Sequence, residues 1–245
     1  MCCFSGPVRD VSSTRIFARL LGDGRQALAY QMQIDAKDPV AMVLPLPTPA
    51  GSAEDAVRWV DLSEMADLFE QLESGYPVMR SRGGPMPASI PQNLAVVEVG
   101  SFIASFAPSR TDLGRLDSRF RLSETVLDAL PLTAGGGFAV FQLKAGASKI
   151  HPIAFTFPSA TPSQLFFPTL HVHDGVVHPT ARFDHTLYAQ RPVGAAPSLK
   201  GWRETPQAAS QFAAVAKSGG LLDGAQHVYK RELWGDLPNQ DTWEA

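Results

Sequence analysis

The chain has 245 residues, a formal net charge of -3, 44% hydrophobic residues and 18% charged residues, which is ordinary for a soluble globular protein with a substantial core. It contains no long basic run and no apolar run of the roughly 18 residues that a membrane helix needs, so we expect neither nucleic-acid nor membrane partners. Twenty glycines and twenty prolines favour many short strands joined by turns.

The N-terminal residues 1–7 lack the charged and hydrophobic regions of a signal peptide, so we expect a cytoplasmic protein. Cys2 and Cys3 are the only cysteines in the sequence. Because they are adjacent, they could form only a strained disulfide with each other, which excludes a structural disulfide framework.

The first part of the chain predicts a hairpin of residues 14–21 and 25–34, joined by a turn at residues 22–24. Residues 40–47 predict a further strand. Because the prolines of this strand cannot donate to a ladder, we expect it to lie at a sheet edge or to end at these prolines.

Residues 52–74 change to a helical period and predict two helices joined near Asp61. Residues 61–64 have the form of a capping box for the second helix. We expect its apolar stripe to pack into the core, and this stripe consists of Met65, Leu68, Phe69 and Leu72.

Residues 79–93 are rich in glycine and proline and predict a linker or a loop. The chain therefore forms either a single domain of residues 1–245 or two packed lobes of residues 1–78 and 94–245.

The second part of the chain predicts strands in residues 94–106, 138–144, 149–157, 181–189 and 227–234, with short helical pieces between residues 112 and 130. Ser123 and Asp117 are the candidate caps of these pieces, and residues 205–217 carry a full helix signature. The expected fold class is α+β, dominated by mostly antiparallel sheets and with two to four helices.

Three histidines lie around Asp174-Gly175, which favours a two-residue type I′ hairpin turn. This register pairs His171 with His178. Side chains alternate along strands, so His171, His173 and His178 are expected on one face.

Three imidazoles on one face predict a site for zinc, copper or iron. His185 and His151 could reach the same site, and Cys3 or Cys2 could add a thiolate. The glutamate that follows His-x-His in the cupin pattern is missing, and an ordinary half-exposed pair of strand histidines remains an open alternative.

Cys2 carries a different hypothesis. Removal of the initiator Met would leave Cys2 with a free amine beside its thiol, as in N-terminal nucleophile hydrolases. Both cysteines could also simply be small apolar residues that pack the terminus against the body.

Residues 2–5, Cys-Cys-Phe-Ser, precede a strand that ends in Val43-Leu-Pro-Leu-Pro47 and then residues 51–56. This order resembles a bacterial family of unknown function, whose members join an N-terminal cysteine motif to a Val-x-Pro-x-Pro strand end before a helix. Its members are often exported, whereas this sequence lacks an export signal and the further cysteines. The resemblance implies a β-rich start and no activity.

Three functions follow from the sequence. The first is a metal-binding protein or metal-dependent enzyme that acts on a small molecule or a metal ion. The second is an amide hydrolase with Cys2 as its nucleophile. The third is a non-catalytic β-rich interaction module with surface histidines; the oligomeric state stays open for all three.

Overall fold

The computed structural model describes residues 2–77, 103–131, 135–143, 146–191 and 201–245, and for Cys2 and residues 147–149 only the backbone. These residues form fifteen strands and two α-helices, which confirms the predicted β-dominated class. The strands are β1 (Cys2–Phe4), β2 (Asp10–Leu20), β3 (Arg25–Ala36), β4 (Val40–Leu46), β5 (Arg58–Val60), β6 (Ile103–Ala107), β7 (Gly137–Leu143), β8 (Gly146–Lys149), β9 (Ile153–Pro158), β10 (Leu165–Phe167), β11 (His171–Val172), β12 (Thr180–Gln190), β13 (Arg203–Glu204), β14 (Tyr229–Pro238) and β15 (Thr242–Glu244). The helices are α1 (Leu68–Ser74) and α2 (Glu124–Ala129), with short 3₁₀ turns at Ser63–Met65, Thr111–Arg115, Ser118–Phe120, Ala209–Gln211 and Val215–Lys217.

Two large sheets contain most of the strands. The five-stranded sheet has the order β11-β1-β4-β7-β6, and the eight-stranded sheet has the order β13-β14-β12-β2-β3-β9-β5, with β8 also paired to β3. Neighbouring strands are antiparallel except for the pairs β1–β11 and β2–β12. The predicted hairpin of residues 14–34 is confirmed as β2 and β3.

The two sheets pack face to face and each is covered on its outer face. The central core joins β3 residues such as Leu28 to β4 residues such as Leu44. A second cluster packs Val43 and Val140 under α2 and the neighbouring 3₁₀ turns, and a third packs Phe17 under α1. The layers are therefore helix, sheet, sheet and helix.

The strand β4 ends at Leu46, as one of the two alternatives for this strand predicted, and it lies between β1 and β7 rather than at a sheet edge. All seven of its residues are buried. Alternate side chains enter the central core and the outer cluster, because both faces of this sheet are covered.

Strands from both sides of residues 79–93 belong to the five-stranded sheet, where β4 lies beside β7. Residues 79–93 lie outside the described residues. Whether the chain is one domain or two packed lobes stays a prediction.

Two of the predicted helices are wrong. Residues 58–60 form β5, which pairs with β9 at the edge of the eight-stranded sheet. The backbone N–H groups of Thr205, Ala209 and Ser210 donate to carbonyls between residues 224 and 228, so this segment does not form a continuous α-helix. By contrast, the apolar stripe of α1 is buried as predicted, and the Oγ of Ser123 caps α2 by accepting from the N–H of Val126.

Candidate functional site

The predicted histidine hairpin does not form. The two residues of β11 pair in parallel with β1, with Cys2 opposite His171 and Cys3 opposite Val172. Gly175 has a φ of 80°, but Asp174 does not have the positive φ that a type I′ turn needs. Instead, the carboxylate of Asp174 accepts a hydrogen bond from the N–H of Val176 and bends the chain away.

This conformation separates His178 from the other histidines. His178 is exposed, and its Nε2 lies 2.8 Å from Oδ2 of Asp174. The predicted pairing of His171 with His178 is therefore wrong. Asn239 joins the segments that contain these two histidines. Its side-chain amide donates to the carbonyls of His171 and His178 and accepts from the N–H of His171.

Three histidines nevertheless meet, and they form what we call the histidine stack: His171, His173 and His185. The ring centroids of His171 and His173 are 4.7 Å apart, and those of His171 and His185 are 5.4 Å apart. Interplanar angles of 25° and 24° make both contacts stacked. Phe183 packs against His171 and His185, and Phe4 packs against His173.

Burial keeps the stack neutral. Desolvation by burial and the neighbouring imidazoles lower the pKa of His171 to about 4 and that of His185 to about 3. Burial also lowers the pKa of His173, although the carboxylates of Asp174 and Asp10 oppose this shift. At neutral pH the three rings are uncharged.

The stacked arrangement does not suit a shared metal ion. The lone pair of an imidazole lies in the ring plane, so nearly parallel rings direct their lone pairs side by side rather than toward one point. Among the described residues, no group of three or more His, Cys, Asp or Glu side chains is placed to hold a metal ion. The Nδ1 atoms of His171 and His185 are buried without a hydrogen-bond partner in the described part of the chain.

Cys3 does not join the histidine stack. It is buried in the outer cluster with Val43 and Val172, whereas the next residue, Phe4, packs in the central core and against His173. Strand alternation thus directs Cys3 to the opposite face. The side chain of Cys2 lies outside the described residues, so its role as a nucleophile stays a prediction.

His151 lies in a different place, an open groove where the edge of one sheet meets the edge of the other. This edge groove has a volume of about 570 Å³. Its lining residues come from both sheets and the turn after β5, and they are Trp59, Val60, Asp61, Leu62, Ser63, Ala104, Phe141, His151, Pro152, Ile153 and Ala154.

Aromatic side chains form the wall of the edge groove. Trp59 is 42% exposed although it is a large aromatic residue. Its ring packs edge-on against Phe141 of the five-stranded sheet at 5.5 Å and against Phe155 of its own sheet at 5.7 Å. The sequence did not predict this groove, because the apolar spacing of residues 56–60 fits a helix. Trp59, next to the charged Arg58, was the residue that could have indicated an exposed aromatic side chain.

Among the described residues that line the edge groove, Asp61 carries a charged side chain. The backbone N–H of Ser63 donates to its carboxylate at 2.8 Å, and this hydrogen bond lowers the pKa of Asp61. The groove also contains His151, whose Nδ1 lies 3.0 Å from the carbonyl of Pro152 and whose pKa is lowered by burial. At neutral pH the described lining of the groove therefore combines an apolar wall with the negative charge of Asp61.

No protein-family model and no curated protein matches this chain. The solved structures that resemble it include baculovirus P35, at 14% identity, with 97% of this chain and 96% of that chain covered and a TM-score of 0.49. A mutated baculovirus P35 after caspase cleavage matches at 12% identity, with 95% and 99% covered and a TM-score of 0.49. P35 in a complex with caspase-8 matches at 12% identity, with 95% of each chain covered and a TM-score of 0.47. Similarity at this level carries no argument about the function of this chain.

In the described residues, no helix is long and apolar enough to cross a membrane.

Proposed function

We propose that this chain is a non-catalytic, β-rich module that binds another protein through the edge groove. The observation that carries this proposal is the exposed Trp59 in an open groove between two sheet edges. Exposed aromatic residues in apolar depressions are typical anchors of protein interfaces, because they contribute a large contact area at a small entropic cost.

The chemistry of the histidines favours this function over the metal site that the sequence predicts. His171 and His185 are buried, stacked and neutral, which suits packing groups better than converging ligands. They are also not the surface residues that the interaction-module hypothesis assumed. The unpartnered Nδ1 atoms of this pair are the feature that favours metal binding as a second candidate function.

Photo-crosslinking tests the proposed function. A photoreactive benzoylphenylalanine at position 59 is expected to form a covalent adduct with a partner protein in the source cells. The matched control places the same group at Trp234, which is 74% exposed and not among the groove residues. Caspase-8, which is present in one of the similar structures, is added in a separate crosslinking reaction as one trial protein.

We expect an adduct of one defined mass at position 59 that excess unlabelled protein suppresses. Adducts at position 234 and none at position 59 would contradict the proposed site, and no specific adduct at either position would contradict the proposed function.

A further inference from the structure

The edge groove has the features of a site for an extended peptide. Its border includes β6, the last strand of the five-stranded sheet, for which pairing is described only with β7. An edge strand presents unpaired N–H and C=O groups, which a second extended backbone can satisfy. On the opposite border, β5 pairs only with β9 among the described strands.

The exposure of the side chains along β6 is consistent with an extended peptide bound next to this strand. Ile103, at the start of the strand, is 65% exposed, whereas Phe106 and Ala107 at its other end are buried. Ala104 lines the groove itself. Ile103 lies on the opposite face of β6 from Ala104, because Ala104 pairs with Phe141 and Ile103 with Gln142. An added strand next to β6 would therefore place alternate side chains toward Trp59 and Phe141 and the remaining ones beside Ile103.

The negative charge of Asp61 favours extended peptides that carry a basic side chain over those that carry an acidic one. Asp61 carries the negative charge, and His151 stays neutral because it is half-buried. Arg58 does not oppose this charge, because Arg58 and Trp59 are neighbours on a strand and point to opposite faces. A basic side chain near Asp61 would form an ion pair there, while an acidic one would be repelled.

We propose that the edge groove binds an extended segment of a partner protein that adds to β6 and carries a basic residue two positions away from a bulky apolar residue. This inference rests on the proposed function and specifies its partner. Residues two positions apart on a strand point to the same face, so the basic side chain meets Asp61 while the apolar side chain packs on Trp59 and Phe141.

Fluorescence anisotropy with labelled hexapeptides tests the inference on the full chain. The first probe is Thr-Lys-Thr-Leu-Thr-Val, the second has Glu in place of Lys, and the third is the first with N-methylated backbone amides on one edge. We expect saturable binding of the first probe, and binding at least roughly tenfold weaker for the other two.

Variants of the protein locate the binding. Asp61→Lys and Trp59→Ala are expected to weaken binding of the basic probe by roughly tenfold. The matched controls, Asp38→Lys and Trp234→Ala, change exposed residues that do not line the groove and should leave the affinity unchanged.

Each remaining outcome overturns the inference. Equal binding of the basic and acidic probes, or equal loss in the variants and their controls, contradicts the groove as a selective peptide site. Failure of all probes, together with a wild-type dimer that Asp61→Lys dissociates, identifies a second copy as the occupant. Failure of all probes while position 59 still crosslinks one partner overturns the peptide inference but leaves the proposed function standing.

Discussion

At the scale of single residues, the ring of His171 lies between those of His173 and His185, which come from different segments of the chain. The spacing of His171 and His173 suggested a shared face, and their rings do contact each other. The third member is His185 rather than His178, because the turn at Asp174 bends the chain and β12 brings His185 under His171. A side chain from a distant strand leaves no local trace in the sequence.

The histidine stack predicts that stability depends on pH. His171 and His185 have folded-state pKa values of about 4 and about 3, below the value near 6.5 of an unfolded chain, so the unfolded state binds more protons between these values. Their contribution is complete above about pH 6.5 and is lost as the pH falls toward 4. We expect the free energy of unfolding, measured with urea, to decrease by on the order of 4 kcal/mol from pH 7 to pH 5, with about half of this from each histidine.

The variant His185→Leu isolates this effect. Because Nδ1 of His185 has no hydrogen-bond partner in the described structure, an apolar replacement of similar size should cost about 1 kcal/mol or less at pH 7.5 and flatten the decrease below pH 6.5. The exposed His178→Leu variant should keep the full decrease. An unchanged pH dependence in His185→Leu would contradict the role of the stack.

At the scale of elements, the antiparallel hairpin was readable because β2 and β3 are neighbours in sequence and have a clear turn between them. The parallel pair of β1 with β11 was not readable, since it joins residues 2–3 to residues 171–172. The first of the two helices predicted in residues 52–74 is wrong, because the apolar spacing of Ala56, Val57 and Val60 fits a helix although residues 58–60 form the edge strand β5.

Gly137 begins β7 at a position where the neighbouring strand β6 leaves no room for a side chain. Gly137 lies directly before the predicted strand of residues 138–144, and in the structure it pairs with Leu46 in the sheet. A Cβ at Gly137 would lie 2.4 Å from Cζ of Phe106 and 2.9 Å from the carbonyl oxygen of Ala107. The glycine therefore allows β6 to lie close to β7, and so helps to place the border of the edge groove.

We expect Gly137→Ala to lower the free energy of unfolding by about 1–3 kcal/mol, because a backbone oxygen cannot move away as a flexible side chain can. Urea denaturation measures the change. Gly22→Ala is the matched control, since a Cβ at Gly22 meets no atom within 4 Å. Equal stability of the two variants would show that β6 and β7 are not packed as described.

At the scale of the whole molecule, β3 and β4 explain why the fold class could be predicted but the layers could not. Strand β4 is apolar along its length, whereas β3 also carries Arg25, three glutamines and Asp35. Their alternate residues enter different clusters, and this two-sided burial requires the covers provided by α1 and α2. The edge groove forms where the edges of the two sheets meet, so it cannot be predicted from any single segment of the sequence.

Hydrogen exchange of the protein with and without the partner captured at position 59 tests whether that partner binds in the edge groove. We expect slower amide exchange in β5, the turn at residues 61–63 and β6 when the partner is bound, with no change in β12 and β14. Protection that appears in β12 and β14 while β5 and β6 stay unchanged would contradict it.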